Sequence, residues 1–116
     1  PASLAPGYTG KTCIGNYIRG TKDGKQRAIF IYNICDHAAC YREVESQAIS
    51  YTAGVPVTAA ALLIAGGEWD VKKMVNVEEL NPTPLIALMD KMGLPTEVLE
   101  SPQPFIAPAI HSLEKV

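Results

Sequence analysis

Side chains able to do chemistry gather most densely between Asn33 and Arg42, in the run NICDHAACYR. Asp36 and His37 fall where an apolar, β-rich run gives way to a helical pattern, and unpaired backbone N–H groups collect at such junctions. Two roles fit the pair. In one, His37 is a general acid that donates a proton to a substrate, as an imidazole does near neutrality, and Asp36 binds that substrate. In the other, Asp36 is a helix N-cap, a position Asp favours, and His37 is a polar turn residue. Cys35, His37 and Cys40, with Cys13 across a hairpin, contain zinc-binding residue types. Cys-x-His-x-x-Cys is not an established ligand spacing, however, and three reduced, partly buried thiols explain the cysteines without a metal.

A second cluster is Ser50 to Pro56, SYTAGVP. Pro56 lacks the N–H that would pair with the Thr52 carbonyl, and the freed backbone lies beside the hydroxyls of Ser50, Tyr51 and Thr52. Such a bend can bind a carboxylate or a cofactor amide, with Tyr51 and Thr52 as substrate-binding residues. It can equally be a kinked core helix in which Gly54 permits close packing. No GxGxxG and no P-loop occurs, so neither of those phosphate cradles is encoded. The acidic pairs Glu43/Glu45 and Glu78-Glu79 read as solvated faces, and His111 as incidental.

The elements that must hold these residues follow from periodicity. Lys11–Gly20 and Gln26–Cys35 alternate as strands, joined through Thr21-Lys22-Asp23-Gly24-Lys25, whose Asp-Gly pair suits a hairpin. Pairing Gly20 with Gln26 sets Thr12, Ile14, Asn16 and Ile18 beside Ala28, Phe30, Tyr32 and Ile34. Both faces are apolar in the middle, so each needs a cover. From Val44 to Gly66 apolar residues recur at helical steps, with a kink or a fresh helix start expected at Pro56. Met74–Val77 is expected to form a short strand. A second helix follows, with Asn81 as cap, Pro82 at its start, a Leu85/Leu88/Met89/Met92 stripe and a stop at Gly93-Leu94-Pro95. Thr96–Glu100 makes a last strand, and residues 101–116 an extended tail. The expected fold is α/β (α+β), in the order β-β-α-β-α-β, within a mixed sheet.

The chain's 116 residues, 47% hydrophobic and 19% charged, suffice for one folded domain and are too apolar for disorder. A net charge of −2 offers no basic footprint for nucleic acid or an anionic membrane. Val55–Ala65, eleven residues containing Pro56, is too short a stretch to span a bilayer. With no evident signal peptide and three scattered cysteines, a cytoplasmic setting is expected. The chain opens Pro-Ala-Ser-Leu without Met and is expected to be a piece of a longer polypeptide.

Several blocks together resemble a known family. They include Gly10-Lys11-Thr12, Tyr32-Asn33 with Cys35-Asp36-His37, Ser46-Gln47-Ala48, Ser50-Tyr51-Thr52, Gly54-Val55-Pro56 and Gly93-Leu94-Pro95-Thr96-Glu97-Val98. The chain resembles the C-terminal end of the saccharopine dehydrogenase family, most closely its carboxynorspermidine synthase branch. That resemblance implies a substrate-binding and dimerisation domain over residues 1–100, with an NADP(H)-binding Rossmann domain upstream of this chain. It implies an enzyme that condenses an amine with an amino-acid semialdehyde and reduces the imine by hydride transfer, as a homodimer. His37 is the candidate acid, and Asp36, Tyr51 and Thr52 are the candidate substrate contacts. Saccharopine metabolism and a non-catalytic ligand-binding or assembly module are the alternatives.

Overall fold

Two twelve-residue strands, β1 (Lys11–Lys22) and β2 (Lys25–Asp36), form the expected hairpin in the computed structural model, which describes residues 7–101. The expected tail lies outside the described residues, apart from Ser101. Asp23 and Gly24 take φ of 53° and 74°, the paired left-handed conformations of a two-residue type I′ turn. Both strands therefore run to the turn, Lys22 faces Lys25, and Gly20 faces Arg27 rather than Gln26. A slip of one residue exchanges faces. Ile14, Asn16 and Ile18 lie beside Asn33, Ile31 and Ile29, and Tyr17 and Arg19 beside Phe30 and Ala28.

β3 (Glu97–Ser101) pairs antiparallel with the other edge of β2, giving the order β1-β2-β3. The described sheet is thus wholly antiparallel, correcting the expected mixed sheet. Side chains hold the returning chain in place. The Asn33 amide donates to the Pro95 carbonyl at 2.6 Å and to Thr96 Oγ1 at 3.1 Å. The Tyr32 hydroxyl donates to Glu97 at 2.8 Å, and Arg27 forms an ion pair with Glu100. Gly15 sits opposite Tyr32 because a Cβ there would come within 2.6 Å of Tyr32 Cβ and 2.9 Å of the Phe30 ring.

The helical run divides in two. α1 (His37–Val44) ends at Glu45, whose φ of 53° turns the chain, and α2 (Ala48–Ala65) follows. α2 continues through Pro56 as one helix, with Ala48, Thr52, Val55 and Ala59 buried at four- and three-residue steps. No strand forms at Met74–Val77; Val77–Glu79 is a single 3-10 turn, and Met74 stands in solvent with no sheet edge beside it. In α3 (Thr83–Lys91), Asn81 Oδ1 accepts from the Thr83 N–H at 3.1 Å. Gly93 ends it with φ 81°, while Leu94 and Gly93 donate to the Met89 and Asp90 carbonyls, each at 3.0 Å. This Schellman closure drives Leu94 into the core at 1% exposure, a burial worth roughly 1.5–3 kcal/mol.

The core joins Cys35, Cys40, Ala48, Val55, Ala59, Met89 and Leu94, with the predicted α3 stripe packed against it. Much of the hairpin is uncovered, although Ala28 is buried. Ile14, Ile18 and Val98 are exposed on one face of the sheet, and Tyr17, Ile34 and Leu99 on the other. α2 is also only partly covered, with Val57 70% exposed. At 18 residues and a mean hydropathy of 1.7, α2 is long and apolar enough to cross a membrane by those two measures, further than the eleven-residue stretch suggested.

Candidate functional site

The junction of β2 with α1 positions the first pair of candidates. Asp36 keeps an extended backbone, and its Oδ1 accepts from the Ala39 N–H at 2.9 Å, the N-cap of α1. That donor favours the charged form and holds the Asp36 carboxyl below its ordinary range. His37 begins α1, and its N–H donates to the Gly10 carbonyl at 3.0 Å. Its ring Nδ1 accepts from the Ala48 N–H, the first of α2, at 3.1 Å. An accepting Nδ1 places the proton of the neutral ring on Nε2. Tyr8 meets the ring edge-on, with centroids 4.9 Å apart. His37 is therefore more than a turn residue: it caps a second helix across the reversal between α1 and α2.

The second pair separates. Thr52 is 7% exposed, and its Oγ1 donates to the Ile49 carbonyl at 3.2 Å. It lies on the buried side of α2, outside the lining of the surface groove. Tyr51 lies on that groove. Its hydroxyl is 2.6 Å from the Met92 carbonyl, at the end of α3, and 3.1 Å from Glu43 Oε1 on α1. Burial first, and then the Glu43 carboxylate, push the phenol pKa up. Gly93 is required beside it, since a Cβ there would approach the Tyr51 oxygen to 2.9 Å.

The groove has a volume of about 490 Å³ and is walled chiefly by Glu43, Val44, Ser46, Ser50, Tyr51 and Met92. Sequence reading took Glu43 for a solvated face and missed the Met92 carbonyl. Tyr51 and Met92 are 41 positions apart, so no local spacing could announce the contact. The thiols take no part. Burial, and then Cys40, push the Cys35 thiol up to about 11, and burial likewise raises Cys40. Such thiols stay protonated and make poor nucleophiles. Among the described residues no group of three or more His, Cys, Asp and Glu side chains is arranged to hold a metal ion.

Known proteins match this architecture at the level of sequence. The saccharopine dehydrogenase C-terminal domain family matches residues 1–94. A carboxyaminopropylagmatine dehydrogenase of Synechocystis is 52% identical over 106 residues, 90% of this chain and 27% of that protein. Carboxynorspermidine synthases of Vibrio alginolyticus and Vibrio cholerae are 53% and 52% identical, over 91% and 86% of this chain and 26% and 24% of theirs. The chain spans about a quarter of the length of these relatives. With the family matched over most of its length, the chain belongs to the saccharopine dehydrogenase family, as its C-terminal domain.

Proposed function

We propose that the protein containing this domain is an NADP(H)-dependent oxidoreductase of polyamine biosynthesis. It condenses a primary amine with an amino-acid semialdehyde, releases water, and reduces the carbon–nitrogen double bond to a secondary amine. The observation that supports this reading is identity above one half to relatives named carboxynorspermidine synthase and carboxyaminopropylagmatine dehydrogenase. NADP(H) supplies the hydride. Membership of the saccharopine dehydrogenase family, as its C-terminal domain, supports nucleotide binding by an upstream Rossmann domain, with residues 1–100 serving substrate binding and dimerisation.

The chain's own part is to orient substrate and move a proton. His37 is oriented through Nδ1 and presents Nε2 to the departing hydroxyl of the carbinolamine. Protonating that hydroxyl takes the imidazolium form, in which Nδ1 carries a proton and gives up the Ala48 N–H, and returns the ring to the neutral form. Asp36 and Tyr51 supply polar contacts on the two sides of the α1–α2 reversal. The exposed apolar residues on both sheet faces support a homodimer, and the net charge of −2 disfavours nucleic acid and anionic membranes as partners. A cytoplasmic location suits its reduced cysteines.

The test is NADPH oxidation by the full-length protein, with aspartate semialdehyde and either 1,3-diaminopropane or putrescine. Diamine-dependent oxidation is expected. Activity confined to glutamate with aminoadipate semialdehyde would move the protein to saccharopine metabolism, and oxidation with neither pair would refute the reading.

A further inference from the structure

The groove between α1, α2 and the end of α3 has an imbalance of hydrogen-bonding groups. The Tyr51 hydroxyl owns one proton, yet two acceptors lie within reach, the Met92 carbonyl at 2.6 Å and Glu43 Oε1 at 3.1 Å. If the proton goes to Met92, the nearer, a phenol lone pair faces a carboxylate oxygen with no hydrogen between them. If it goes to Glu43, the carbonyl faces the phenol in the same way. The place has no cationic donor. No Lys, Arg or His lines the groove to supply one, and its remaining polar walls are Ser46, Ser50 and Thr58 hydroxyls. Its apolar surface comes from Val44, Val55 and Met92.

We propose that this groove binds the primary ammonium group of an alkyl diamine, between Glu43, Tyr51 and the Met92 carbonyl, with the methylene chain along Val44 and Val55. An ammonium carries three donors and no acceptor, the complement of a carboxylate, a phenol oxygen and a carbonyl. A charge-assisted hydrogen bond to the carboxylate makes the contact selective for a cation over a neutral hydroxyl. The site selects an ammonium over a neutral hydroxyl at the bound end, and Glu43 is its specificity-determining residue. Which amine occupies it rests on the reaction proposed above, whereas ammonium binding itself does not.

Calorimetry on the full-length protein tests the site without turnover. 1,3-Diaminopropane is expected to bind about ten- to a hundredfold more tightly than 1,3-propanediol, which has the same chain and no ammonium. Glu43→Gln keeps the size of the side chain and removes its charge, so it should erase that preference. Glu45→Gln, which removes an equal charge two residues away, should preserve it. In steady state, Glu43→Gln should raise KM for the diamine by a similar factor and leave KM for the semialdehyde within about twofold. Equal wild-type binding of diamine and diol overturns the site, with no reliance on a variant. So does a Glu43→Gln protein that retains the preference, or one that loses amine and semialdehyde affinity together. Absence of turnover with selective diamine binding would overturn the proposed reaction and leave the site standing.

Discussion

The two ends of β2 live in different surroundings. At its Asp36 end, Cys35 is buried, the next residue caps α1, the following one caps α2, and Leu94 closes the core beneath. Toward its Lys25 end the same strand runs between two others of which much is exposed on both faces, Ile18 at 52%. Apolar side chains fall on both faces of the strand, so the difference is one of cover. The helical end satisfies its helix termini and buries Cys35 and Leu94 within the described residues, while Ile34 and the outer face of α2 stay exposed. The hairpin end has a fully formed backbone ladder and apolar faces that need surface from elsewhere. Stability and association are thus expected to respond to different ends of one hairpin.

The largest expected effect lies in chemistry at the helical end. His37→Asn offers an amide oxygen in place of Nδ1 to the Ala48 N–H but removes the acidic proton, so kcat of the full-length enzyme should fall by roughly 10²–10⁴ with little change in Tm. An unchanged kcat and pH profile would reduce His37 to a helix cap. Next comes packing. Leu94→Ala should cost about 2–5 kcal/mol in denaturant unfolding, because the void lies under a closed Schellman turn. Ile18→Lys, at the other end, should change unfolding by no more than about 0.5 kcal/mol while shifting the full-length protein toward monomer in light scattering. A dimer that survives Ile14→Lys and Ile18→Lys together would place the interface elsewhere.

The smallest effect is in acid. The Asp36 carboxyl titrates lower in the folded chain than in the unfolded one, so its cap stabilises above the unfolded value and is lost as pH falls through the folded value. Tm measured between pH 2 and 6 should fall less steeply in Asp36→Asn than in wild type. Parallel curves would mean that the Ala39 N–H does not distinguish the carboxylate from the amide.

Much of the frame was legible because it is written in short distances along the chain. Asp23-Gly24 announces the hairpin, Asp36 caps a helix three residues on, Asn81 and Gly93 bound α3, and the Leu85–Met92 stripe names the face it buries. The register was legible only to within one residue, and that residue decides which side chains share a face. The β3 direction was not legible, since it depends on where α3 releases the chain beside Asn33.

Sequence alone therefore determined the hairpin, the caps, the apolar stripe and the family. Each rests on backbone conformations and side-chain contacts within a few positions, or on blocks of residues that relatives share. Tertiary structure decided that Thr52 belongs to the core and Tyr51 to a groove, although they are neighbours on one helix. It also decided that His37 caps α2 eleven residues away, and that the exposed Glu43 meets Tyr51. These outcomes depend on how α1, α2 and α3 pack around Leu94. A hydrogen bond between separate elements exists only after burial has fixed their relative positions, and no local spacing encodes that.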